Sequence, residues 1–327
     1  MKKYILEKKK IPSTGRNIKI WIFRPARHEN EETAKAGAPG VLWIHGGGYV
    51  TGMAQMIYFS RALPLVKKYG AVVVTPAYRL SGEAPYPAAL EDCYAALKYL
   101  KEHAAELRVD DSRLMVGGES AGGGLTAALC MYARDRGEVS IAYQMPLYPM
   151  IDDRDTDSSR DNHAPVWNTR KNHRAWKKYL RGLEGQEIPA YAAPARQTDY
   201  GGLPPAYTFV GDREPFYCET LAFIENLRKA GTEARVDIYP GCFHAFDMLL
   251  PFLKVSRRAA AEFEKQFLYA ASHYSAPQKP ENDRDDRGNS AERGKTGGRR
   301  SRMERVKSRT GEKSQKSEGK RGICDVI

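Results

Sequence analysis

Residues 18–26 read IKIWIFRPA, with apolar and polar positions alternating until a proline stops them. Period-two alternation sends side chains to opposite faces of a strand, and a closing proline suits a strand at a sheet edge. The pattern then changes. GVLWIHGGGYV (40–50) and AVVVTPAYRL (71–80) are nearly unbroken apolar runs, as expected of strands buried on both faces of a parallel sheet. Residues 56–69 have helical spacing, and it is clearer still in YPAALEDCYAALKYLKEHAAEL (86–107). RLMV (113–116) predicts another strand, followed by the helix-like LTAALCMYARDRG (125–137). IAYQMPLYPM (141–150), PAYTFVG (205–211) and ARVDIYPG (234–241) predict three more strands, with ETLAFIENLRKAG as a helix between the last two. A helix over 256–271 ends the series. Strands alternating with helices from residue 41 onward predict an α/β fold: a doubly wound, mostly parallel sheet covered on both faces.

The alternation lapses between 152 and 204, where the sequence is polar and contains tryptophan and a short helical stretch, NHRAWKKYLRG (172–182). A long excursion inside a regular α/β domain is expected to serve as a lid. From Pro277 the chain carries many charges, prolines and glycines and almost no apolar residues. Such a segment cannot bury enough surface to fold. The expected organisation is one domain over 1–276, with its lid at 152–204, and a disordered charged tail over 277–327.

Charge changes the picture only once it is located. The chain holds 52 basic and 40 acidic residues, a net charge of +12. From Pro277 onward there are 15 basic and 9 acidic residues, so the tail alone carries half of the surplus. The tail has no aromatic residues to stack on bases, so a nucleic-acid partner is not expected. Five cysteines without paired spacing suit a reducing compartment, and Cys218 and Cys242 are expected to be inert. The opening MKKYILEKKKIPSTG is basic but lacks an apolar core, and no apolar run is long enough to span a bilayer. The expectation is a soluble, cytoplasmic protein without a membrane partner; a homo-oligomer stays open.

The candidate chemistry begins at VGGESAGGGL (116–125), where five glycines crowd Ser120 between a predicted strand and a predicted helix. A G-x-S-x-G frame at a strand-to-helix turn is the pattern of a nucleophile elbow. A serine hydroxyl reacts only if a base removes its proton and donors hold the oxyanion that forms. HGGGY (45–49), directly after a buried strand, supplies such donors: the amides of Gly46 and Gly47, with Ala121 as a third. His45 is expected to hold that loop. Of seven histidines, only His244, in YPGCFHAFD, lies in the loop just past the last predicted strand, where the base belongs in the order Ser, acid, His. The acid lies in VGDREPFYCE (210–219), where Asp212, Glu214 and Glu219 compete.

HGGGY, YRLSGEAPYPAALED, GGESAGGG, YPMIDD, LPPAYTFVGDREPFYCE and GCFHAF occur in that order. Together they resemble the hormone-sensitive-lipase-like family of α/β-hydrolase esterases over roughly residues 18–270. The resemblance implies an α/β-hydrolase fold, a serine esterase and a small-molecule ester substrate, with no metal and no cofactor. It assigns Ser120 as nucleophile, His244 as base and Glu214, the residue before Pro215, as acid. The family usually places aspartate there in a D-P-L-x-D-E frame, from which EPFYCE departs. It also makes Arg79 and Asp92 an ion pair holding the loop beneath the site. Family members usually carry cap helices ahead of the first strand, but here a strand begins almost at once. A lid built from 152–204 alone implies short acyl esters, such as an acetylated sugar or alcohol. Trp167 and Trp176 are expected either to line the pocket or to form the lid's own core. Amidases, lactonases and peptidases use the same triad, and this fold also serves as a small-molecule receptor, so both stay open.

Overall fold

Lys8, Lys9 and Lys10 disguise the strand that opens the chain. In the computed structural model, which describes residues 3–26 and 37–279, β1 (Tyr4–Ser13) and β2 (Arg16–Pro25) form an antiparallel hairpin. Its two-residue turn closes on Gly15 at φ +76°, a conformation that favours glycine. β1 takes the sheet edge, and β2 lies inside it, paired with β1 and β4 (Val72–Ala77). The edge position expected for 18–26 therefore belongs to β1. Its lysines sit on an edge, where charge blocks pairing with other chains.

The chain continues through β3 (Ala38–Ile44), a 3-10 turn over Ala54–Tyr58, α1 (Ala62–Tyr69) and then β4. α2 (Ala88–Glu102) and the short α3 (Ala104–Leu107) lead to β5 (Val109–Glu119), α4 (Ala121–Arg136) and β6 (Tyr143–Leu147). After α5 (Thr169–Tyr179) come β7 (Ala206–Gly211), α6 (Tyr217–Lys229), β8 (Ala234–Tyr239), the single turn α7 (Phe246–Leu249) and α8 (Lys254–His273). The sheet order is β1-β2-β4-β3-β5-β6-β7-β8, parallel from β4 to β8.

Alternate residues of each strand feed different cores. Ile20, Ile22, Leu42, Ile44, Val74 and Val116 face Leu97 of α2, Leu125 of α4 and Ile224 of α6. Trp21, Phe23, Val41, Trp43, Val73 and Met115 face Leu65 of α1 and Phe263 and Phe267 of α8. β3 sits between β4 and β5. The chain leaves β3 toward one side, returns for β5 on the other, and opens a crevice beyond their carboxyl ends. Ligand sites in doubly wound sheets form at such a switch point.

Between 152 and 204 the regular structure is α5 and a 3-10 turn at Pro194–Arg196. Asn168 caps α5 by accepting from the Lys171 amide at 3.1 Å. Cys93, Cys130 and Cys242 are free and buried. Cys218 is half-buried.

The end of α8 does not end the docked chain. Tyr274 stacks on Tyr143 at 5.4 Å, and the Ala276 amide donates to the Ser112 carbonyl at 2.7 Å. The Gln278 side chain accepts from the Ser140 amide at 2.9 Å and donates to the carbonyls of Ser140 at 3.0 Å and Asp111 at 2.8 Å. The expected boundary at 276/277 thus falls inside a held segment. Composition marks Pro277 as the start of a polar stretch but cannot register one glutamine satisfying backbone groups of β5 and of the loop before β6. The rest of the expected tail, 280–327, lies outside the described residues. A chain ending at Ser275 should melt roughly 2–6 °C below one ending at Lys279, from the loss of these hydrogen bonds in a domain of this size. Equal melting temperatures by calorimetry would show that the 276–279 contacts contribute nothing.

Candidate active site

Ser120 is a single residue between β5 and α4, with φ 60° and ψ −121°. A non-glycine residue held there costs on the order of 1–3 kcal/mol and persists only where its surroundings fix it. They do so on three sides. Its amide donates to the Leu147 carbonyl at 3.0 Å, and its own carbonyl accepts from the amides of Gly124 at 2.9 Å and Met150 at 3.1 Å. The first turn of α4 packs directly on the end of β3. A Cβ on Gly122 would stand 2.0 Å from the Ile44 carbonyl oxygen, so only glycine allows that approach. The strained turn lifts the Ser120 hydroxyl into the crevice beyond β3 and β5.

Two later strands bring their loops to the same place. Glu214 lies three residues beyond β7, and His244 five beyond β8. His244 Nε2 is 2.8 Å from Ser120 Oγ. On its other side Nδ1 bonds Glu214 Oε2, while Glu214 Oε1 accepts from the Gly211 amide at 2.8 Å. A carboxylate only accepts, so Nδ1 carries the proton and Nε2 is free to accept from the serine hydroxyl. Relative exposures of 7% for Ser120, 3% for His244 and 0% for Glu214 put the chain of bonds in a low-dielectric setting. Of the competing acids, Asp212 is exposed and accepts from the Gly241 amide at 2.7 Å. Glu219 accepts from the Ile151 and Asp152 amides at 2.7 and 3.2 Å. Glu214 alone of the three bonds the imidazole.

The glycine loop after β3 is held by its own histidine. His45 Nδ1 donates to the Gly46 carbonyl at 2.8 Å, and its ring stacks on Tyr78 at 4.2 Å. Burial pushes the imidazole down to about 4, against the Gly46 hydrogen bond that raises it, so it stays neutral. Among the described residues, the amides of Gly46, Gly47 and Ala121 donate to no other part of the chain. Ala121 opens a helix, where first-turn N–H groups have no intrahelical acceptor. Gly46 lies directly against Ser120, where an added Cβ would stand 3.2 Å from the serine Cβ, and Ala121 follows that serine in the chain.

The two tryptophans part company. Trp167 lies over the loop, so close that a Cβ on Gly48 would meet its Cη2 at 2.2 Å. Its ring is 6.4 Å from that of His244, and its Nε1 donates to Asn172 Oδ1 at 3.2 Å. Trp176, 3% exposed, packs instead among Tyr49 at 5.4 Å and Tyr179 at 6.0 Å, as a core residue of the insertion. Arg79 holds Asp92 with two guanidinium bonds of 2.9 Å and a backbone bond of 2.8 Å. The sequence reading missed Tyr148 and Phe216, whose rings meet His244 nearly at right angles at 5.1 and 5.0 Å. It also missed Arg61 and Asp247 behind them. YPMIDD and the FHAFD stretch contain Tyr148 and Asp247, but nothing local marks Arg61.

Among the described residues, no helix is long and apolar enough to cross a membrane, and no group of three or more His, Cys, Asp or Glu could hold a metal ion. The sequence profile of the alpha/beta hydrolase fold matches residues 41–248. Esterase LipI of Mycobacterium tuberculosis is 34% identical over 204 residues, 62% of this chain and 63% of LipI. The match thus spans just under two thirds of that relative's length. The acetyl-hydrolase of Streptomyces hygroscopicus is 31% identical over 253 residues, covering 76% of this chain and 79% of the relative. Among solved structures, a bacterial heroin esterase superimposes with a TM-score of 0.77 at 35% identity, over 82% of this chain and 85% of that one.

Glu119, immediately before Ser120, supplies a stability test. Burial pushes its carboxyl up to about 8, outweighing the lowering hydrogen bonds from Trp43 and the Arg61 amide. The folded chain keeps that proton where the unfolded chain has lost it. The associated stability is therefore complete below the ordinary carboxylate range and is lost as pH rises toward about 8. Glu119→Gln should flatten the fall in melting temperature between pH 5 and 8, whatever it does to the absolute value. An unchanged slope would mean that Glu119 ionises normally in the fold.

Proposed function

Because the chain belongs to the alpha/beta hydrolase fold family, we propose that it is a serine carboxylesterase acting on short-chain acyl esters. The observation that carries this reading is the 2.8 Å contact between Ser120 Oγ and His244 Nε2, with Nδ1 bonded to Glu214. In this mechanism Ser120 Oγ attacks the acyl carbon while Nε2 takes its proton. Glu214 orients the imidazole and stabilises its charged form. The tetrahedral oxyanion accepts hydrogen bonds from the amides of Gly46, Gly47 and Ala121, donors that need no rearrangement as charge develops. The imidazolium then protonates the departing alkoxide. Water, activated by the same nitrogen, attacks the acyl-enzyme, and Ser120 recovers its proton as the acid leaves.

The acyl preference is supported by two features. The 152–204 insertion contains one helix and a 3-10 turn, little structure from which to build a deep channel. The acetyl-hydrolase relative also points to a small acyl group. Trp167, against Gly48 and near His244, forms a wall of the pocket, and Trp176 supports the insertion from within. The retained Ser120–His244 bond weighs against a receptor role, which has no use for a poised nucleophile.

Ser120→Ala should abolish ester hydrolysis and labelling by a fluorophosphonate probe. Glu214→Ala should lower kcat roughly a hundredfold or more, and Asp212→Ala less than about tenfold. A crippled Asp212→Ala beside a near-normal Glu214→Ala would reassign the acid, and labelling of Ser120→Ala would reassign the nucleophile. In a nitrophenyl-ester series, acetyl and butyryl esters should turn over faster than decanoyl and longer ones. Rates that climb through the dodecanoyl ester would replace this reading with that of a lipase.

A further inference from the structure

Behind the imidazole lies a set of buried polar side chains that the proposed hydrolysis does not use. Tyr148 follows β6 at φ +34°, uncommon and strained for a bulky residue. Its amide donates to the Phe209 carbonyl at 3.1 Å, and its ring stands 82° to that of His244. The Tyr148 hydroxyl donates to Asp247 Oδ1 at 3.2 Å. Asp247, fully buried three residues past His244, places Oδ2 3.1 Å from Arg61 Nε. That contact is an ion pair outside hydrogen-bond angles, and Arg61 Nη2 also donates to the Asp247 carbonyl at 3.3 Å. The Arg61 amide donates to Glu119 Oε1 at 3.2 Å, and Glu119 Oε2 accepts from Trp43 Nε1 at 2.8 Å. One continuous run of contacts thus joins the wall of the base to the residue before the nucleophile.

The set is costly as a stabilising device. Well-packed apolar residues in place of a buried ion pair are often neutral or stabilising, and the backbone of Tyr148 adds strain. The arrangement does constrain the imidazole beyond its Glu214 bond, and unlike the Phe216 ring at 5.0 Å it is itself anchored by a hydroxyl hydrogen bond. The Glu214 bond pins one edge of the imidazole, but the ring can still tilt about that edge. A tyrosine ring fixed at backbone and hydroxyl blocks the tilt. Misplacing a catalytic group by about 1 Å can cost on the order of a hundredfold in rate.

We propose that Tyr148, Asp247 and Arg61 are positioning residues, a brace that holds the His244 imidazole in line with Ser120 and ties the nucleophile's loop to the base's loop. The inference rests on the esterase reading. The three act through one another, Arg61 on Asp247, Asp247 on the hydroxyl, and the ring on the imidazole, so they behave as a unit.

The test measures kcat and KM on nitrophenyl acetate, with melting temperatures, for wild type, Tyr148→Phe, Asp247→Asn and the double variant. Tyr148→Phe removes a hydroxyl and leaves the ring, so it keeps the test sound if Asp247→Asn folds poorly. Each single variant should lose about tenfold in kcat with KM within about twofold, and Tyr148→Phe should melt within about 2 °C of wild type. The double variant should be no slower than the worse single, as expected of residues acting as one unit. Full kcat in Tyr148→Phe overturns the brace, as does multiplication of the two losses in the double variant. A wild type that neither hydrolyses the ester nor takes the fluorophosphonate label overturns the esterase reading and the brace together. A wild type active beside a fully active Tyr148→Phe overturns the brace alone.

Discussion

The turn at Ser120 passes from strand to helix in a single residue, and the rest of the site depends on it. A backbone at φ 60° relaxes unless something prevents it. What prevents it is direct backbone contact: the Ser120 amide on Leu147, its carbonyl under Gly124 and Met150, and Gly122 against the Ile44 carbonyl. These contacts come from β3, β6 and the helix itself. The hydroxyl's position is therefore a property of the sheet as a whole. Removing side chains at 118 and 122 is the condition for it, because a Cβ at either position would strike the end of β3.

The same sheet order explains why groups 124 and 30 residues apart in the chain meet. Parallel strands deliver successive loops to one end. The glycine loop, the elbow, Tyr148, Glu214 and His244 follow β3, β5, β6, β7 and β8 in turn. Adjacent strands then set the spacing between them. Glu214 and His244 sit on loops from the paired strands β7 and β8, which is why an acid three residues out reaches a histidine five residues out.

Electrostatics in this setting is governed by burial. Glu214, Glu119 and Asp247 are all buried, and Arg61 pairs with Asp247 through its guanidinium and with Glu119 through its amide. Burial raises the carboxyls of Glu119 and Asp247, so neutralising Glu119 limits the negative charge near Ser120. Burial likewise keeps His45 neutral beside the glycine loop.

The sequence alone determined the class of fold and drew attention to Ser120 and His244, while it left Asp212, Glu214 and Glu219 in competition until the family resemblance favoured Glu214. Apolar runs, helical periods and glycine-rich loops are local, and the pairing of HGGG with an elbow is a demand one motif makes on another. It could not show that β1 exists, since an edge strand is defined by its partner and lysines hide its pattern. Nor could it separate Trp167 from Trp176, because both lie in one polar insertion and only packing decides which ring meets Gly48 and which meets Tyr49. Arg61 illustrates the limit best. It lies far along the chain from Asp247, in no motif, and gains its place only because α1 begins beside the loop that follows β8. Contacts of that kind are set by how strands are ordered in space, which the tertiary structure decides and no local pattern records.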